Sequence, residues 1–106
     1  MSECVQVMTT ASTKDEAAKV ATALLEGRLA ACVQILGPIE SRYWWNGKIE
    51  QSTEWLCLIK TIRGKFPAVE AAIRANHSYE VPEIVACPIE LGSELYLQWL
   101  RRETAG

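Results

Sequence analysis

His77-Ser78-Tyr79-Glu80-Val81-Pro82-Glu83 is the densest polar constellation in the chain, with the only histidine, a phenol and two carboxylates in seven residues. Imidazole nitrogen beside carboxylate oxygen suits Cu²⁺, Zn²⁺ or Ni²⁺ better than Mg²⁺, and Cu²⁺ binds such donors tightest. One histidine is too few for a closed structural metal site. A single chain offers only weak, open coordination, whereas a symmetric oligomer can bring donors from several copies together. The competing reading is a helix-end histidine hydrogen-bonded to backbone beside a proline-shaped turn, and the residues by themselves favour it. A second set is Thr9, Thr10 and Ser12, which precede a helix N-terminus where backbone N–H groups can hold an anion. Helix capping explains the same residues. Lys60, Arg63 and Lys65 surround Gly64. They form either a solvated loop or the rim of an anionic ligand site. No Ser-His-Asp order, phosphate-binding glycine loop or spaced acid/base pair occurs, so no enzymatic reaction is expected.

The elements that must position these residues follow from periodicity. Glu3 to Thr9 alternates, with Val5 and Val7 on one face, and reads as a first strand followed by a hydroxyl-rich connection. Thr13 and Glu16 match a capping box. Ala17, Val20, Ala21, Leu24 and Leu25 then form a helical stripe that ends at Gly27. Ala30 to Leu36 is a second strand. Gly37-Pro38 bends or bulges it, and it resumes from Ile39 to Trp45. Asn46-Gly47 predicts a two-residue hairpin turn into a third strand, Lys48 to Thr61. That turn sets Trp45 opposite Lys48, Trp44 opposite Ile49, Tyr43 opposite Glu50 and Arg42 opposite Gln51. Pro67 suits the first turn of a second helix ending near Asn76-His77. Glu83 to Ile89 is a fourth strand, and Gly92-Ser93 opens a last helix. The order βαββαβ, with right-handed crossovers, predicts an α+β ferredoxin-like fold with a long hairpin and a C-terminal helix.

The hairpin is too long for the body. Each arm of about fifteen residues spans roughly 50 Å, against a radius of gyration near ~13 Å for a domain of this size. Its tip carries Tyr43, Trp44, Trp45 and Ile49. A lone two-stranded ribbon is marginal in water, and a large exposed aromatic patch marks an interface. The tip therefore packs on neighbouring copies, unless the strand ends at Gly37-Pro38 and the rings fold back.

Bulk properties agree. The 106 residues amount to one domain, 1–106. Eleven basic against thirteen acidic residues leave a net charge of −2, which excludes a partner held by bulk positive charge, such as nucleic acid. The third strand lacks the aromatic RNA-binding signature that shares this element order. No apolar run approaches the ~20 residues of a membrane span. The start, Met1-Ser2-Glu3-Cys4, lacks a signal peptide's basic and apolar segments, so a cytoplasmic location is expected. Cys4, Cys32, Cys57 and Cys87 sit in apolar strand-like runs and read as buried, reduced thiols.

Taken together, several motifs in order resemble the CutA divalent-cation tolerance family. They are Ala30-Ala31-Cys32-Val33, Tyr43-Trp44-Trp45-Asn46-Gly47-Lys48-Ile49-Glu50, Ile59-Lys60-Thr61, His77 to Ile84, Pro88-Ile89 and Tyr96-Leu97-Gln98-Trp99-Leu100. The resemblance covers nearly the whole chain. It implies a homotrimer like those of PII signalling proteins, a cytoplasmic role in tolerance of divalent metals, notably copper, and no established reaction. It implies no obligatory cofactor, with Cu²⁺ or another divalent cation as ligand. Some members hold Cu²⁺ through a first-strand Cys, a His like His77 and a Glu like Glu83; here Thr9 stands at the first position, and Ser78 replaces a proline. His77 and Glu83 are the metal candidates carried over. The alternative is a PII-like module that binds a partner protein or a small anion, using Thr9, Ser12, Lys60, Arg63 and Lys65.

Overall fold

The computed structural model describes residues 3–106, so Met1 and Ser2, part of the start read as lacking a leader, lie outside the described residues. The first strand, β1 (Cys4–Ala11), runs two residues further than expected. Thr9, Thr10 and Ala11 face Cys57, Leu56 and Trp55 across a ladder, so they belong to the sheet and not to a connection. Helix α1 (Lys14–Glu26) starts where Thr13 Oγ1 accepts the Glu16 N–H at 3.0 Å. Ala17, Val20 and Leu24 bury its stripe, while Leu25 at the stripe's edge stays exposed. Past Gly27, Arg28 takes the left-handed φ of 58°. Arg28 N–H then reaches the Leu25 carbonyl and Leu29 N–H the Leu24 carbonyl, which closes a Schellman turn.

The hairpin is β2 (Cys32–Trp45) and β3 (Lys48–Ile62). Asn46 and Gly47 have φ of 50° and 78°, as a type I′ turn requires. All four expected pairs, from Arg42 with Gln51 to Trp45 with Lys48, are present. The strand continues through Gly37-Pro38 with a bulge between Leu36 and Ile39. A straight 50 Å arm does not fit the molecule, whose longest dimension is 44 Å. Twist and the bulge shorten the ribbon. At the bulge, Gly37 lies against the Trp55 ring, and an added Cβ would stand 2.4 Å from a ring carbon. Gly37→Ala is therefore expected to lower stability by about 1–3 kcal/mol in urea unfolding, through the ring displacement it forces.

A 3₁₀ turn, Arg63–Lys65, leads into α2 (Phe66–Ala75), with Pro67 in its first turn. Strand β4 (Val85–Pro88) is shorter than the expected Glu83–Ile89 because its ladder to β1 covers only Val5 to Met8. Helix α3 (Glu94–Glu103) is capped by Ser93, whose hydroxyl accepts the Tyr96 N–H. The four strands lie in the order β2-β3-β1-β4, every neighbour antiparallel, which is the ferredoxin-like arrangement. One face packs Val7 and Ile59 against Val20 and Leu24 of α1 and Val69 and Ile73 of α2. At one end, α3 adds Leu97 and Leu100 against Cys4. On the opposite face, Leu36 and Val85 remain exposed.

Candidate functional site

Helix α2 ends at Asn76, whose side-chain amide donates to the Ala72 carbonyl. The chain then turns across the end of β1, and His77 enters the protein with no exposed side-chain area. Its Nε2–H donates to the Thr10 carbonyl, and its Nδ1 accepts the Tyr79 N–H at 3.0 Å. Those two partners, one only an acceptor and one only a donor, define the neutral Nε2–H tautomer. Glu16 reaches the same segment from α1. Its carboxylate accepts the Ser78 N–H at 3.1 Å and the Ser78 hydroxyl at 3.0 Å, and one oxygen stands 3.3 Å from His77 Nδ1. The capping-box glutamate thus turns to the loop. Tyr79 stacks obliquely on the imidazole, with centroids 4.7 Å apart, and its hydroxyl donates to Glu54 Oε2 at 2.7 Å. Glu54 is a buried carboxylate, 6% exposed. Burial first, and then the Glu54 hydrogen bond, push the Tyr79 phenol well above its usual range.

Beside this network is a cleft of about 650 Å³ between the outer part of the hairpin, from Ser41 to Trp45, and the loop after Tyr79. Glu54, Glu80 and Glu83 contribute carboxylates to it, and Tyr43 and Trp45 contribute aromatic walls. Its one guanidinium, Arg42, is paired with Glu40 at 2.8 Å. The lining is therefore net negative and suits a cation better than an anion. His77 and Glu83 do not share it. Glu83 lines the cleft, whereas His77 does not; residue 77 borders a second hollow with Glu16 and Ser78, its imidazole closed off from solvent. Among the described residues, no three His, Cys, Asp or Glu side chains are grouped to hold a metal ion. With both imidazole nitrogens engaged, the residues of one chain do not fit a metal site.

The anion candidates are dispersed. Thr9 is fully buried on the helix-covered face, beside Cys57. Lys60 Nζ donates to Gln34, Arg63 pairs with Glu3 through two short bonds, and Lys65 reaches the Gly106 carbonyl. Because β1 and β3 are antiparallel, with Cys4 opposite Ile62, Ser12 beyond the far end of β1 is remote from Arg63 and Lys65. Among the described residues, the Thr9 hydroxyl is buried without a partner. Thr9→Val keeps the shape and removes that unpaired group, so it is expected to raise stability by about 1–2 kcal/mol. An unchanged or lowered urea midpoint would show that the hydroxyl is satisfied.

The hairpin candidates stand exposed on the ribbon: Trp44 is 72% and Ile49 67% exposed, with Tyr43 and Trp45 each near two-fifths. All four cysteines are free, but Cys87 is exposed and not buried as expected, because edge strand β4 has a partner on one side only. Sequence reasoning missed Glu16, Glu54 and the Thr10 carbonyl. Glu54 carried a signal, a lone charge opening the apolar run Trp55 to Ile59. The other two carried none, since one resembled a cap residue and the other is backbone.

The family described as CutA1 divalent ion tolerance protein matches residues 5–103. This chain belongs to that family. The divalent-cation tolerance protein CutA of Archaeoglobus fulgidus is 47% identical over 91 residues, 86% of this chain and 88% of that protein. The Thermus thermophilus protein of the same name is 44% identical over 98 residues, 92% and 95% of the two chains. The chain spans about half the length of some relatives, 55% of the rice chloroplastic CutA 1, which is 41% identical over 98 residues. Among solved structures, rice CutA1 superposes with a TM-score of 0.94 at 39% identity, covering 97% of this chain and 94% of that one. The family is one of tolerance proteins by name, and its relatives are described in different compartments, chloroplastic in rice and periplasmic in an Archaeoglobus fulgidus structure. Among the described residues no helix is long and apolar enough to cross a membrane.

Proposed function

We propose that this chain is a cytosolic homotrimeric protein of divalent-cation response, without a reaction of its own, whose cation-contacting cleft is completed by assembly. The observation that carries this is the incomplete cleft. Its carboxylates, Glu83 among them, open beside Tyr43 and Trp45 of the same hairpin whose tip is unpartnered. A sister chain docked on those rings adds donors where one chain has too few. The exposed Leu36 and Val85 on the open sheet face support the same assembly. Four unpaired cysteines accord with a reducing compartment.

The test is calorimetric titration of Cu²⁺ into the assembled protein and into Glu83→Gln. Saturable binding that weakens about tenfold or more in the variant is expected. Equal binding by both proteins would remove Glu83 from the site, and no binding to the intact assembly would refute the cation reading.

A further inference from the structure

We infer that His77 is a latch that positions Tyr79 and the cleft wall, and is not a ligand to a cation. The imidazole has no exposed area, and both of its nitrogens are engaged by backbone groups of fixed polarity. A cation seeking Nδ1 must displace the Tyr79 N–H. One seeking Nε2 must take the place of its proton and leave the Thr10 carbonyl unpaired. Either replacement strands a polar group inside the protein.

What the ring does is join separate parts of the fold. Thr10 belongs to β1, Glu16 to α1 and Tyr79 to the loop, and the imidazole contacts all three. Ser78 reinforces the joint from the next position. Its N–H and hydroxyl both hold Glu16, a pair of bonds that a proline at 78 has no N–H to complete. With its amide fixed on Nδ1 and its ring against the imidazole, Tyr79 can direct its hydroxyl to Glu54 on β3. Thr10, Tyr79 and Glu54 all line the cleft, and His77, which does not, bonds the first two. The histidine therefore acts on the cleft through Tyr79, as a positioning residue. This role stands apart from the cation reading, because the contacts that define it need no ligand.

The experiment combines ¹⁵N imidazole spectra of the wild-type protein during addition of Zn²⁺ with amide exchange in two variants. The expected spectrum is a single Nε2–H tautomer whose ring resonances do not move as Zn²⁺ is added. His77→Ala is expected to speed exchange at the Tyr79 amide by about tenfold, the factor one lost buried hydrogen bond implies. His77→Gln retains an amide donor for Thr10 and is expected to recover protection of the loop relative to His77→Ala. Zn²⁺-dependent movement of either ring nitrogen overturns the inference. So does a loss of Cu²⁺ affinity of about tenfold or more in His77→Gln with amide protection intact. Should no cation bind at all, the proposed function fails, and exchange and its recovery by Gln still decide the latch. Unchanged exchange in His77→Ala would sink it.

Discussion

Trp44→Glu is expected to reduce the sedimenting particle from the mass of the proposed trimer to that of one chain, 11.8 kDa, at micromolar concentration. Trp44 and Ile49 are cross-strand partners at the end of a two-stranded ribbon, and each leaves about two-thirds or more of its surface in water within one chain. A ribbon without a third strand or a covering layer is marginal by itself. Burying a tryptophan contributes on the order of 3 kcal/mol, and an assembly of three chains repeats that contact in every copy. Glutamate removes the apolar surface and places an unpaired charge in the contact, which adds a desolvation cost of the same order. Trp44 takes no part in the core between sheet and helices, so the circular dichroism spectrum of the separated chain is expected to match wild type. A wild-type protein that already sediments as a single chain would defeat the assembly outright.

Tyr79→Phe is expected to lower stability at neutral pH by about 1.5–3 kcal/mol, the range for a hydrogen bond to a charged group. The hydroxyl is the donor to the buried Glu54 carboxylate, and phenylalanine leaves that oxygen with an apolar edge. Tyr79→Phe combined with Glu54→Gln is expected to recover part of the loss, because the unpaired charge is gone. Urea unfolding of the two single variants and the double variant measures the coupling.

The same pair governs alkaline behaviour. Burial and Glu54 raise the folded-state pKa of Tyr79 above the ordinary value of 10.0. Between those two values the unfolded chain loses a proton that the native chain keeps, so the phenol's contribution to stability is full below pH 10 and falls as pH rises above it. The slope is at most about 1.4 kcal/mol per pH unit. Cys57, pushed by burial from 9.0 to about 11, adds the same sign of effect over that interval. Wild type is thus expected to weaken from pH 9 upward. Tyr79→Phe is expected to lose the phenol's share of the slope above pH 10 and to keep the Cys57 share up to about pH 11. An equal slope in both proteins would show that the phenol titrates normally in the native state.

Much of the fold was legible because its signals are local. The Asn46-Gly47 turn determines hairpin register through two backbone angles, and the pairing from Arg42 to Trp45 follows by counting. Thr13 announces the start of α1, and Pro67 the start of α2, for equally local reasons. The end of β1 was less legible. Thr9 and Thr10 look like loop residues until the ladder with Cys57 and Leu56 exists. Cys87 resembled its buried counterparts, since its edge position depends on strand order.

The amino-acid sequence alone determined the element order, the hairpin and its aromatic tip, and the polar segment from His77 to Glu83, because periodicity, turn chemistry and composition act over a few residues. Only the tertiary structure decided what those polar residues do. It engaged both nitrogens of His77, sent Glu16 to the loop instead of its own helix cap, joined Tyr79 to Glu54 across 25 positions, and separated Ser12 from Arg63 and Lys65. The physical reason is that a hydrogen bond is satisfied by whichever group lies within about 3 Å. Chain packing sets that neighbour independently of spacing along the sequence.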